Sequence, residues 1–207
     1  AGVKTYFRDC FSSRYYVSVF VLMTAAALAF APLNTFTIPY AKSLGVDMEQ
    51  YGKALATTYF VSLVLAYFLG WLADAFHPLR VTIATLIGYA AVSLYGALFA
   101  TTPETFLRAF ILHGVLSGCY FTSAASLGQR LFPHEKYAQF ASAAGIVMAP
   151  TTIVLAPIVG FLIDGVSGSY RLTFVFGCGL SLCALGTALV VHRQFMRLGG
   201  PAGYEAP

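Results

Sequence analysis

Charge is scarce in this chain. Only 12 of its 207 residues are Lys or Arg and 8 are Asp or Glu, too few to cover the surface of a soluble domain. What charge there is bunches between apolar runs instead of following helix faces. The net charge of +4 is therefore not read as a nucleic-acid surface, and no nucleic-acid partner is expected. Carboxylates are missing from the middle of every apolar run: Asp9, Asp47, Glu49, Asp74, Glu104, Glu135, Asp164 and Glu205 all fall in loops, tails or run ends. Cys10, Cys119, Cys178 and Cys183 fit no metal-ligand spacing and read as small apolar packing groups. No metal and no cofactor is expected. There is no nucleophile–base pair, phosphate-binding glycine loop or paired carboxylate, so an enzyme is the least favoured class. The opening Ala-Gly-Val-Lys-Thr-Tyr has no Met and no charged-then-apolar leader, which predicts a piece of a longer protein or a processed one.

Apolar residues are abundant instead, at 58% of the chain, and the mean hydropathy is +0.76. This predicts a multi-pass membrane protein with the lipid bilayer as its main surroundings. Six helices are expected, at about 15–41, 54–73, 80–100, 106–129, 138–163 and 171–191, each near or above the ~20 residues that cross a bilayer core. In lipid the backbone must satisfy itself, so the fold class is all-α. Pro32 and Pro39 predict tilt or a kink late in the first span. Eight Lys and Arg lie on the side of the two termini and four on the other, which predicts cytoplasmic termini in a plasma or inner membrane.

The chain also echoes itself. Gly70-Trp71-Leu72-Ala73-Asp74 recurs as Gly160-Phe161-Leu162-Ile163-Asp164, with Arg80 and Arg171 closing the two following loops. Gln50 to Ala56 is echoed by Gln139 to Gly145 at almost the same offset. Two matched points at one spacing predict two related three-helix repeats, 15–100 and 106–191. A 101–105 connecting loop separates them, and segments 1–14 and 192–207 flank them as cytoplasmic tails. Three is odd, so the second repeat enters the membrane from the opposite side, the inverted arrangement of secondary transporters.

The loop Gly70-Trp71-Leu72-Ala73-Asp74-Ala75-Phe76-His77-Pro78-Leu79-Arg80 resembles the signature loop of the major facilitator superfamily, Gly-x-Leu-Ala-Asp followed by basic residues. Ala75 and Phe76-His77-Pro78-Leu79 depart from that pattern, as in the second half of such transporters. Arg108 to Gly114 with Gly118 resembles the family's fourth-helix Arg…Gly motif, and Ala156-Pro157-Ile158-Val159-Gly160 its fifth-helix Pro-x-x-Gly element. The resemblance implies the C-terminal six-helix half of a twelve-span fold. Its partner is then a second six-helix half, either the missing N-terminal half or another copy. It implies a secondary active transporter moving a small polar solute by alternating access. The alternatives are a non-transporting scaffold or assembly subunit, and a self-pairing six-span protein. Gly70, Asp74 and Arg80 are expected to serve gating, with Gly70 allowing close helix approach.

Cavity-lining candidates come from polar groups within the first, second and fourth spans: Asn34, Thr35 and Tyr40; Tyr59 and Ser62; His113, Ser117 and Tyr120. Polar side chains at membrane depth tend to face the protein interior. Two readings of Asn34 and His113 stay open: ligand or proton contact, or hydrogen bonding that serves only a kinked backbone or a neighbouring helix. Gly114 and Gly118, with Pro157 and Gly160, are expected at helix-packing contacts.

Overall fold

Caps at the corners set where the helices begin. At Thr102-Pro103-Glu104-Thr105, the Thr102 hydroxyl accepts the Thr105 N–H at 3.3 Å and the Thr105 hydroxyl accepts the Thr102 N–H at 3.1 Å. This reciprocal pair and Pro103 in the first turn start a helix there. Asp47 caps another, its carboxylate accepting the Glu49 N–H at 3.4 Å. That helix starts at Met48, six residues ahead of the expected start.

The structure is a computed structural model and describes residues 2–166 and 168–207. Its helices are α1 (Val3–Phe11), α2 (Arg14–Ser43), α3 (Met48–Phe76), α4 (Pro78–Phe99), α5 (Pro103–Leu131), α6 (Tyr137–Val166), α7 (Leu172–Arg197) and the short α8 (Gly200–Gly203). A 3-10 turn, His134–Lys136, leads into α6. No strand occurs among the described residues. Helices α2 to α7 are each long and apolar enough to cross a membrane, so the all-α membrane fold stands. The expected N-terminal tail differs: most of it is α1, an amphipathic helix too short to span. Helix α7 runs six residues past its expected end, and the chain beyond it folds back over the bundle. There the Tyr204 hydroxyl donates to the Leu131 carbonyl at 2.7 Å and Tyr16 donates to the Pro207 carbonyl at 2.6 Å.

Helix α2 is the central rod, buried along most of its length and packed between α6 and α7. Helix α5 sits likewise between α3 and α4, and α4 packs on α7 to join the two sets. Helices α3 and α6 scarcely touch each other and leave a broad face open. Aromatic clusters close the bundle near both ends. Tyr16 and Phe140 have ring centroids 4.4 Å apart at one, and Tyr40 and Phe106 are 4.7 Å apart at the other. Lipid tails are as apolar as these side chains, so close fit rather than water exclusion holds the helices together. Glycines supply that fit: a Cβ at Gly96 would collide with the Phe174 ring, and one at Gly177 would lie 3.2 Å from the Tyr89 hydroxyl.

The α3–α4 corner turns on a single residue. His77 has φ +76°, alone in positive φ among the described non-glycine residues, a geometry that costs on the order of 1–3 kcal/mol. Its Nδ1 accepts the Leu79 N–H at 3.3 Å, and its ring lies 4.4 Å from that of Phe195. Burial, with Arg130, Arg80 and His192 nearby, pushes its pKa down to about 4. The unfolded chain binds a proton near pH 6.5 and the folded one does not until about pH 4. His77 therefore favours folding fully above the unfolded pKa, and that contribution is lost as pH falls from about 6.5 toward 4. We expect the melting temperature to drop between pH 7 and 4, and the drop to shrink in His77→Asn, which tolerates positive φ and carries no proton. Melting curves of both proteins across that range check this.

Candidate binding cleft

A cleft of about 390 Å³ opens between α2, α3 and α5. Two glycines one helical turn apart on α5 shape it. A Cβ at Gly114 would collide with the Thr58 side chain, and one at Gly118 would come within 2.7 Å of the Ser62 hydroxyl. Without those side chains α3 seats Thr58 and Ser62 directly against α5. Thr58 donates to the Ala54 carbonyl of its own helix at 3.0 Å. Leu55, Tyr59, Phe110 and Phe121 form apolar and aromatic walls, and no charged side chain lines the cleft.

Its polar centre is a hydrogen-bonded relay running from the cleft into the bundle. Asn34, exposed on α2, places Oδ1 2.9 Å from Nε2 of His113. His113 is 1% exposed, and its Nδ1 lies 2.9 Å from the Tyr89 hydroxyl. That hydroxyl is also 3.2 Å from the Ala29 carbonyl on α2. A neutral imidazole has one N–H and one lone pair. With Oδ1 facing Nε2, the ring donates to Asn34, and its Nδ1 shares the single Tyr89 proton with the Ala29 carbonyl. The two N–H groups of the Asn34 amide are then left to the cleft. Phe30 packs on the Tyr89 ring at 4.1 Å and on His113 at 6.0 Å between centroids, sealing the inner side.

Of the eight candidates from sequence, Asn34, Tyr59, Ser62, His113 and Ser117 converge on this cleft. The other three sit elsewhere. Thr35 donates to the Ala31 carbonyl of its own helix at 2.9 Å. Tyr40 is buried and donates to Ala100 just beyond α4 at 2.5 Å, and Tyr120 donates to the Met23 carbonyl at 3.3 Å. Tyr89 escaped sequence reasoning, although a phenol in the middle of an apolar span needs a partner. Thr58 was the other omission. It lies four residues before Ser62, matching the spacing of Gly114 and Gly118.

At the membrane end of α3, Asp74 pairs with Arg130 of α5 at 3.2 Å, with both side chains largely exposed. Arg80 has no ion-pair partner among the described residues. Among the described residues, no atom of another helix approaches within 4 Å of where a Gly70 Cβ would lie, so Gly70 makes no close helix contact there. At the same distance Gly160 meets only Phe36, at 3.4 Å. Pro157 is exposed on α6. Arg171 serves a different purpose from Arg80: its Nε donates to the Ala97 carbonyl at 2.9 Å, with Leu98 accepting from the same guanidinium at 3.2 Å. It thereby satisfies the C-terminal carbonyls of α4.

The family model for the Major Facilitator Superfamily matches residues 16–201. No curated protein matches the chain.

The relay makes a quantitative expectation. Tyr89→Phe leaves a buried ring nitrogen unpaired and should destabilise the protein by about 1–3 kcal/mol. The effects of Tyr89→Phe and His113→Ala should be non-additive by roughly 0.5–3 kcal/mol, as for groups in one network. Equilibrium unfolding of the two single variants and the double variant in mixed micelles measures this, and simple additivity would disprove the relay.

Proposed function

Because the chain belongs to the major facilitator superfamily, we propose that it forms one half of a secondary transporter moving a small polar solute by alternating access. The observation that carries this reading is the cleft, where the relay ends in the Asn34 amide at membrane depth. Neutral donors and acceptors between aromatic walls suit an uncharged solute bearing oxygen or nitrogen. A scaffold that does not transport would have this face filled by bulky apolar side chains. Here Asn34, Ser62 and Ser117 line open space instead.

Two inverted three-helix repeats account for the packing. Exchanging α2 with α5, α3 with α6 and α4 with α7 maps the main helix contacts onto one another. Helices α3 and α6 begin 89 residues apart and end 90 apart, matching the echoed segments. The second six-helix half, the N-terminal one or another copy, covers the face between α3 and α6, where Tyr59, Leu63, Tyr67 and Ile153 are each more than 60% exposed. Both termini then lie in the cytoplasm, on the basic side. Native mass spectrometry of the full gene product in nanodiscs distinguishes the two kinds of partner.

Uptake into proteoliposomes tests transport. With the full gene product and a panel of neutral and charged solutes, Asn34→Ala and His113→Ala should each cut uptake of the accepted solute roughly tenfold, about the loss of one hydrogen bond. Thr35→Ala, whose hydroxyl bonds within its own helix, should leave uptake unchanged. Uptake of no solute by a folded protein would remove the proposal.

Gating is assigned to the Asp74 corner. Asp74→Asn weakens the pair to Arg130, so the balance of inward- and outward-open forms should shift in spin-label distance distributions. Unchanged distributions would sink this role.

A further inference from the structure

Helix α1 is a separate element that neither the cleft nor the packing of the spans requires. One side is docked. The Tyr6 hydroxyl lies 3.3 Å from the Gln139 carbonyl and 3.2 Å from the Ser142 hydroxyl on α6. Cys10 is fully buried, Phe11 meets Phe20 at 5.4 Å, and Asp9 pairs with Lys136 at 3.1 Å. The other side is open. Val3 and Phe7, four residues apart on one face, are 75% and 45% exposed. Lys4 and Arg8 form the adjacent stripe at the same spacing, both exposed. Arg8 stands 3.9 Å from Asp9, whose other oxygen Lys136 holds.

Only Ser12 and Ser13 separate α1 from α2. Two residues span at most about 7 Å, so α1 cannot leave the level at which α2 enters the membrane. Apolar side chains and cations side by side at that level match an interfacial helix, with its apolar face among the upper acyl segments and its cations among headgroups. The charge of the whole bundle agrees. The end that carries α1 has eight Lys and Arg against four Asp and Glu, while the opposite end has four against four. A surface of anionic phospholipid is the complementary partner.

We propose that α1 lies in the bilayer surface and binds anionic phospholipid headgroups through Lys4 and Arg8, with Val3 and Phe7 inserted beside them. Because its inner side holds the first turns of α6, headgroup binding braces α6. Elsewhere that helix is anchored chiefly on α2.

The experiment uses the full gene product in vesicles of phosphatidylcholine alone or mixed with phosphatidylglycerol. Phe7→Trp adds an indole at an exposed position, read as a difference from the parent protein. We expect this indole to be quenched by lipids brominated high on the acyl chain, to be shielded from aqueous acrylamide, and to be more so with phosphatidylglycerol. Lys4→Gln with Arg8→Gln should abolish that phosphatidylglycerol gain. Co-purifying phosphatidylglycerol, counted by native mass spectrometry of the parent and of the Lys4→Gln/Arg8→Gln variant, should fall in the variant. This second readout needs no change at Phe7. Access of acrylamide in both vesicles would place the face in water and overturn the proposal. Shielding from both acrylamide and bromolipid would show that a protein segment covers it, which overturns it too. A phosphatidylglycerol gain that survives loss of Lys4 and Arg8 would remove headgroup recognition.

Discussion

A polar atom at membrane depth has no water to bond, and much of this bundle's arrangement follows from how such atoms are satisfied, although the buried hydroxyls of Thr24, Thr82 and Ser93 find no partner among the described residues. Most are satisfied within their own helix. The hydroxyls of Thr35, Thr57, Thr58, Thr85 and Thr187 each donate to the carbonyl four residues back, so they need no partner on another helix. Side chains that cannot reach their own backbone must cross to another helix. Asn34, His113 and Tyr89 do so, joining α2, α5 and α4. The relay therefore fixes the rotation of three helices about their axes and supplies the polar end of the cleft. The bonds that fix those rotations are the ones that place polar groups in the cleft.

Close approach is the second constraint, and it sorts the helices. Between α4 and α7 the notches are reciprocal: Gly96 takes the Phe174 ring, and Gly177 takes the Tyr89 and Ser93 hydroxyls. On α5, Gly114 and Gly118 take Thr58 and Ser62. These notches are filled from within the chain. On α3 and α6 the opposite holds, since a Cβ at Gly52, Gly70 or Gly145 would meet nothing within 4 Å. Open glycines occur on α7 too, at Gly179 and Gly186, but within the spans the most exposed apolar side chains lie on α3 and α6, among them Phe60 and Phe68 on α3 and Phe161 on α6. Those faces have the composition of packing surfaces without a packing partner among the described residues.

Hydropathy made the six spans and their order legible, because a run of twenty apolar residues has few other uses. It could not reveal where a helix continues past the lipid. Glu49 and Lys53 look like loop charges in the sequence, yet they pair at 2.6 Å across one turn of α3. Helix α1 was missed for a related reason. Nine residues with mixed polarity carry no span signal, and only docking on α6 reveals the helix. Five of the eight cleft candidates could be found because Asn, His and Ser stand out against an apolar background. Tyr40 and Tyr120 misled because a phenol serves equally well as a donor to a buried carbonyl. Which carbonyl it reaches depends on helix neighbours that one sequence does not display.

Both ends of the bundle are held by tyrosine hydroxyls donating to backbone carbonyls, but their corners differ. At the end where α4 finishes, Tyr40 and Arg171 donate directly to backbone carbonyls, and the Thr102–Thr105 pair closes the following turn. The Tyr40 bond is buried and the Arg171 bond partly so, and salt barely screens such sheltered contacts; the Thr102–Thr105 pair is exposed. At the end where α3 finishes, Tyr204 and Tyr16 likewise donate to the Leu131 and Pro207 carbonyls, and beside them stand the Asp74–Arg130 pair, 77% and 52% exposed, and a corner bent through His77 in an unfavourable backbone region. An exposed pair contributes about 0–1 kcal/mol, and a strained corner relaxes when its neighbours loosen. Of the links at this end, the exposed pair and the strained corner are the weakest. The two echoed loops, alike in sequence, differ in their contacts: Arg171 holds the C-terminal carbonyls of α4, while Arg80 is exposed beside the His77 corner.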